Sequence, residues 1–379
     1  MRKNFGKALD NRNMVAFNQV KRFTSPKRSN QPSDEFSCEV RVTQRRFIPG
    51  LKDVARTAGV SMTTVSRYLN ADLVLPPDTA QRVDTAIRQL GYVPNPHARS
   101  LGRGRSDTIG LVIPTIANPF FALLAAAVEE AAEAKGLGVL LNATSNNASR
   151  ELQHVARMRR NQVSGLLFVS AHYHTPELVQ ALNDTRGLVL IDEDIPGVHS
   201  AKVLYDNYRG GWLAGEHFVE HGHRRIAFIG GPSELASTRD RFAGLRDAAA
   251  QADAEVTFEM YGAYAAAHGE DAARALLSLG RPPTAVFVSS GEIMIGLLDA
   301  LHRAGVAVPE RLSLIVFDDA GPLHLFDPPL TAIRQPIAEL GARAVELMLA
   351  ASHGDPAETE VRLPVELVKR ASVAPPASV

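Results

Sequence analysis

The chain has 379 residues, enough for two or three domains with a sizeable core, and its 41 Lys plus Arg balance 41 Asp plus Glu. The charge is unevenly spread: residues 1–106 hold 19 basic and 8 acidic side chains (net +11) and the other 273 hold 22 and 33 (net −11), the asymmetry of a DNA reader attached to something else. A single cysteine, Cys38, excludes an intrachain disulfide framework, no apolar run approaches the ~18 residues that span a bilayer, and the first residues lack the apolar core of an export signal, so the sequence points to a reducing cytoplasm and away from a membrane.

Residues 1–48 are polar and basic, with 11 Lys plus Arg against 4 acids, no sustained period and turn formers at Ser25-Pro26 and Gln31-Pro32. They read as a disordered extension, either a basic arm that adds nonspecific DNA affinity or a functionless segment from a start codon placed too early. From Leu51 the pattern changes. Leu51, Val54, Ala55 and Ala58 fall at helical spacing, Gly59 stands where a helix ends left-handed, and Val60 plugs the turn. Ser61 is placed to cap a second helix that buries Val65, Tyr68 and Leu69. Met62, Thr63, Thr64, Ser66 and Arg67 are left largely outward, a set that suits insertion into a major groove. A third helix over residues 78–90 places Val83, Ala86, Ile87 and Leu90 on one side and ends at Gly91.

The stretch from Leu51 to Leu101 resembles the DNA-binding headpiece of the lactose-repressor (LacI) family. The resemblance is carried by Lys-Asp-Val-Ala at 52–55, Ala-Gly-Val-Ser at 58–61, Thr-Val-Ser-Arg at 64–67, Leu-Gly-Tyr-Val-Pro-Asn at 90–95 and Ala-Arg-Ser-Leu at 98–101. It implies a helix-turn-helix headpiece over residues 49–94, with Ser61, Met62, Thr63, Thr64, Arg67 and Asn70 at the DNA, and a hinge and linker over residues 95–107. Arg99 and Leu101 would lie in a hinge helix that forms on the operator and pushes the leucine into the minor groove. Pro94 and Pro96 stiffen one side of that segment, Gly102 and Gly104 loosen the other, and a helix so short is marginal in water without DNA.

From Thr108 apolar runs alternate with amphipathic segments, the pattern of a parallel-sheet α/β core. Strands are expected over residues 109–113, 138–141, 165–169, 188–191, 226–229, 285–288 and 312–317, and helices over 122–135, 211–220, 241–252 and 293–304. Residues 108–373 also resemble the family's two-lobed core, which is similar to periplasmic sugar-binding proteins, and 374–379 read as a tail without a terminal leucine heptad. The segments that carry this are Asn118-Pro119-Phe120-Phe121, Gly222 to Ala227, Arg241-Phe242-Ala243-Gly244, Val308-Pro309, Phe317-Asp318-Asp319 and Leu330 to Pro336. Ligands of such sheets bind beyond the strand carboxyl ends. There the resemblance implies effector contacts by Phe120, Phe121, Ser237, Arg241, Tyr264 and Asp318, with aromatics stacking on a ring and charged groups bonding its polar atoms. The sequence departs from the family after the strand at 285–288. Gly291 stands where many relatives carry a carboxylate, so Glu292 or Ser290 substitutes or the effector is unusual.

Catalytic chemistry finds no support: there is no Gly-x-Ser-x-Gly elbow, no phosphate loop and no His-Glu-x-x-His. His217 and His221 at i, i+4 with His223 nearby suggest a metal at first sight, but no completing ligand is evident and they read as exposed helix-end histidines. No catalytic residue, metal or cofactor is assigned. The expected function is a cytoplasmic, homodimeric regulator, a repressor that binds a pseudo-palindromic operator under allosteric control by a small molecule, a sugar or derivative ahead of a purine-like ligand. A sugar-binding transport component or an α/β enzyme is the alternative class.

Overall fold

A computed structural model of the chain describes residues 49–70, 72–93, 106–172, 174–353 and 359–377. The N-terminal module is three helices, α1 (Leu51–Ala58), α2 (Met62–Leu69) and α3 (Pro77–Leu90). Val54, Ala55, Ala58, Val65, Val83 and Ala86 are buried at its centre, as the helical spacing predicts, and Leu51, Val60, Tyr68, Leu69, Ile87 and Leu90 close around them. Gly59 ends α1 at φ 67°, ψ 38°, a left-handed conformation that a Cβ would strain. The Ser61 hydroxyl accepts from the Thr64 amide at 3.0 Å and so caps α2.

The rest of the described chain forms two sheets. In the first lobe the strand order is β11-β5-β4-β3-β1-β2, built from β1 (Thr108–Ile113), β2 (Gly138–Ala143), β3 (Leu166–Phe168), β4 (Leu188–Ile191), β5 (Ala201–Tyr205) and β11 (Glu360–Leu363). In the second it is β12-β10-β9-β8-β6-β7, from β6 (Arg225–Gly230), β7 (Glu255–Tyr261), β8 (Ala285–Val288), β9 (Ser313–Phe317), β10 (Thr331–Arg334) and β12 (Glu366–Val368). The two orders repeat each other position by position. All pairings are parallel except β10 with β12. Helices α4 (Pro119–Glu133), α5 (Ala148–Arg160), α6 (Pro176–Asn183) and α11 (Ile337–His353) go with the first lobe, and α7 (Asn207–Glu220), α8 (Ala236–Ala250), α9 (Ala266–Leu277) and α10 (Gly291–Arg303) with the second. The chain passes between lobes three times, after β5, after β10 and after β11.

Several elements escape the sequence pattern or shift against it. Strands β5, β7, β10, β11 and β12 are not among the expected runs, helices α5, α6, α9 and α11 are not individually placed by the pattern, and α8 begins five residues earlier than the predicted 241. The expected tail starts too early: Ala374 donates its amide to Ser313 Oγ at 3.1 Å, and Ser372 bonds both Leu314 and Thr331, so the second lobe holds the chain through 374. Among the described residues, no helix is long and apolar enough to cross a membrane.

Candidate functional site

In the N-terminal module, Met62 (51% exposed), Thr63 and Arg67 project from α2 into solvent, as a groove-reading face requires. Ser61 and Thr64 are partly committed to each other, their hydroxyls 2.8 Å apart, and Arg67 makes a long 3.4 Å contact to the Asp72 carbonyl. Asn70 closes α2, its amide bonded to Ser66 O. Tyr68 reaches back to both carboxylate oxygens of Asp84 at 3.2 Å and ties α2 to α3. Arg99 and Leu101 lie outside the described residues.

The second site is a cleft between the lobes, beyond the carboxyl ends of both sheets. It brings together all six residues expected to touch an effector: Phe120, Phe121, Ser237, Arg241, Tyr264 and Asp318. Arg241 is positioned by a close helix pair. Gly211 of α7 backs onto the carbonyl of Arg241, and Gly244 of α8 backs onto the backbone of Tyr208 and Trp212; a Cβ on either would collide with main chain. That contact explains the Arg-x-x-Gly spacing: the glycine one turn on seats the helix that aims the arginine. The guanidinium is buried, donates from Nε to Asn207 Oδ1 at 2.8 Å and from Nη1 to the Ser289 carbonyl at 2.7 Å, and lies 3.5 Å over the Phe317 ring. Phe120 is more enclosed than a stacking platform, packed edge-on against Phe121 and Tyr205 with centroids 5.1 and 6.2 Å away. Phe121 is half-buried, and Tyr264, whose hydroxyl lies 3.2 Å from Thr238 Oγ1, is a second aromatic wall.

Acidic side chains dominate the cleft, and two of them, Asp192 and Glu193, escape sequence reasoning. Asp192 follows β4 directly, as Asp318 follows β9, and the two strands hold equivalent third places in their sheets. Both residues have positive φ, 69° and 85°, a conformation that costs a non-glycine residue strain and concentrates at functional positions. Burial pushes the Asp192 carboxyl up to about 6, with Arg241 pulling it down and Asp318 pushing it further up. Asp318 is also raised by burial, opposed by Arg241 and by hydrogen bonds from Gln335 Nε2 (2.6 Å) and the Gly291 amide. Glu292 stands beside the position where the family's carboxylate is absent, and burial with Asp318 nearby lifts it to about 7 while Asn118 holds it by a hydrogen bond. Ser290 lines the cleft too, but its Oγ caps α10 by accepting from the Ile293 amide at 3.3 Å.

Glu193 has a different task. It belongs to the first lobe yet accepts from the Ala236 amide at 2.7 Å and the Ser237 hydroxyl at 2.5 Å, at the start of α8 in the second lobe. Leu235 offers α8 no side-chain cap, so Glu193 supplies one across the cleft. Burial lifts its carboxyl to about 7 against these bonds. Ser237, expected to face an effector, is thereby already engaged. Beneath the cleft, Ser170 Oγ donates to the fully buried Glu151 Oε1 at 2.7 Å, and burial lifts Glu151 to about 7.

The histidine reading needs correction. His217 and His223 are buried, 4% and 1% exposed, because the final strand and the segment through Ala374 cover that end of the second lobe. Desolvation lowers both to about 4. Among the described residues, no group of three His, Cys, Asp or Glu is placed to hold a metal ion.

Residues 50–95 match the family described as bacterial regulatory proteins, lacI family, and residues 216–373 match a periplasmic binding protein-like domain. The HTH-type transcriptional repressor PurR of Actinobacillus pleuropneumoniae serotype 5b (strain L20) is 33% identical over 329 residues, 85% of this chain and 98% of that protein. The HTH-type transcriptional regulator GalR of Escherichia coli (strain K12) is 33% identical over 333 residues, 86% of this chain and 96% of that one. Among solved structures, the Lac repressor dimer bound to operator and the anti-inducer ONPF superposes with a TM-score of 0.77 at 27% identity, covering 86% of this chain and 99% of that one. A complex of the regulator CelR with cellobiose gives 0.64 at 29%, with the same coverage.

Proposed function

The chain belongs to the LacI family of bacterial transcription regulators, and from that premise we propose that it acts as a cytoplasmic homodimeric repressor on a pseudo-palindromic operator and is controlled by a small molecule in the interlobe cleft. The observation that carries the reading is one chain holding both an outward set of Met62, Thr63 and Arg67 on a capped helix and a lobe-spanning cleft containing Arg241 and Asp318. One headpiece buries little surface, so useful specificity needs two, and the solved Lac repressor dimer on operator supports the same assembly here. Met62, Thr63 and Arg67 read bases, Ser61, Thr64 and Asn70 support them, and Arg99 and Leu101 serve the hinge, with Leu101 as the minor-groove wedge. A sugar or sugar derivative is the effector; the cellobiose complex of CelR favours this class over a purine.

A gel shift with the chain's own promoter DNA tests the operator half of the reading. Leu101→Gly loses most operator affinity and leaves the core's fold intact, and unchanged affinity removes the wedge. For the cleft, a thermal-shift screen finds stabilising compounds by mass action. A compound whose shift survives both Asp318→Ala and Arg241→Ala binds elsewhere and removes the cleft assignment.

A further inference from the structure

Resting on the cleft as the effector site, the geometry points to an effector that carries a positive charge: we propose an ammonium-bearing polyhydroxylated compound, of the amino-sugar or aminocyclitol class, rather than a neutral sugar or a sugar phosphate. Four carboxylates line the cleft (Asp192, Glu193, Glu292 and Asp318), and Arg241 is the one cation that does so among the described residues. Glu193 is held by the amino end of α8 and by Ser237. Arg241 offsets at most one of the others, and two of its donors are already spent on Asn207 and the Ser289 carbonyl. Asp318 and Glu292 have neutral donors only, Gln335 with the Gly291 amide and Asn118, so when all four are ionised the lining keeps a surplus of negative charge with no second cation against it. Asp192 Oδ1 is shielded from solvent and has no hydrogen-bond partner among the described residues.

Each effector class meets this surplus differently. A phosphate adds two negative charges to a low-dielectric cleft that offers one partly free guanidinium edge, and is rejected. A neutral polyol leaves that surplus buried without a counter-charge. An ammonium group between Asp192, Asp318 and Glu292 satisfies them with three N–H donors, and the Phe121 and Tyr264 rings of the same lining attract it further. Asn146, also in the lining, is there for the hydroxyls, while Asn118 and Ser170 are engaged with Glu292 and Glu151.

The experiment is a thermal-shift and calorimetric series on the full chain at pH 7.5, using amino sugars and aminocyclitols, their deaminated neutral parents, their N-acetylated forms and sugar 6-phosphates. At least one amine is expected to bind about tenfold tighter than its neutral parent and its N-acetyl form, the worth of a charge-assisted bond, with the phosphates inert. In Glu292→Gln that amine-to-parent ratio is expected to fall by about half its logarithm or more. Neutral parents or phosphates that stabilise as well as every amine, or a panel in which no amine stabilises, overturn the charge assignment. If a bound compound is insensitive to both Asp318→Ala and Arg241→Ala, the cleft itself is wrong, which separates the two failures.

Discussion

At the scale of single residues, Arg67 and Glu193 make opposite demands on the sequence reader. Arg67 was legible because its helix is local: the cap at Ser61, the buried Val65 and the exposed Arg67 all follow from spacing within ten residues. Arg67→Ala is expected to relax preference at one base pair per half-site by about 1–3 kcal/mol, as read by binding to a panel of single-substituted operators; a uniform loss across scrambled sites would mean contact with phosphate only. Asp192 and Glu193 were not legible, because the acidic run Asp192-Glu193-Asp194, after a strand and before Ile195-Pro196, looks like a solvated turn until a second lobe closes over it. Glu193→Ala removes the only side chain that caps α8 across the cleft and is expected to cost about 1–2 kcal/mol in urea unfolding. Glu193→Gln, whose amide oxygen still accepts, recovers part of that loss. Equal stability of Glu193→Ala and the parent chain would show that the bonds to Ala236 and Ser237 add nothing.

Among elements, what could be read depended on burial. The strands buried on both faces, β1, β3, β4, β6, β8 and β9, are continuous apolar runs and were found. The edge strand β7 carries Glu255, Thr257 and Glu259, and β11 alternates exposed with buried positions, so neither forms such a run. Helix α5 hides its period in a different way. Its core stripe includes Glu151 with Val155 and Met158, and a carboxylate in an apolar position breaks the pattern. The Arg241 motif was legible, but its reason was not: Gly244 is fixed by the backbone of α7, which lies over thirty residues earlier in the chain. Gly244→Ala forces α7 and α8 apart and is expected to destabilise the second lobe by about 1–3 kcal/mol, with a larger loss of effector affinity than Phe242→Leu, a half-buried position of the same helix that packs against Phe228 and Tyr261 and does not line the cleft. Urea unfolding paired with calorimetry checks both; a Gly244→Ala chain that binds normally would disconnect the helix contact from the arginine.

For the whole molecule, the acidic cleft sets a pH dependence. Asp192, Glu193 and Glu292, lifted to about 6, 7 and 7, and the raised Asp318 face Arg241, Tyr205 and Tyr264. Folded, these carboxyls hold protons that the unfolded chain releases near pH 4, so their contribution is full below about 4 and is lost as pH rises through 6 to 7. The buried His217 and His223, lowered to about 4, work the other way across the same window in any variant, so the carboxyls are read by difference: from pH 4 to 7 the melting temperature of the ligand-free chain is expected to fall relative to that of Glu292→Gln, and parallel profiles would mean that Glu292 titrates normally. An amine that occupies the cleft should stabilise most above pH 7, where the carboxylates are ionised and the amine is still charged. The three passages between lobes, after β5, β10 and β11, have a mechanical consequence. Three neighbouring strand connections leave the halves a single axis to turn on, so whatever fills the cleft is converted into one number, an angle. Under the proposed control by a cleft ligand, compounds of unlike shape are then expected to differ to the DNA only in the sign and size of that rotation, which would make the protein a one-dimensional gauge of its occupant.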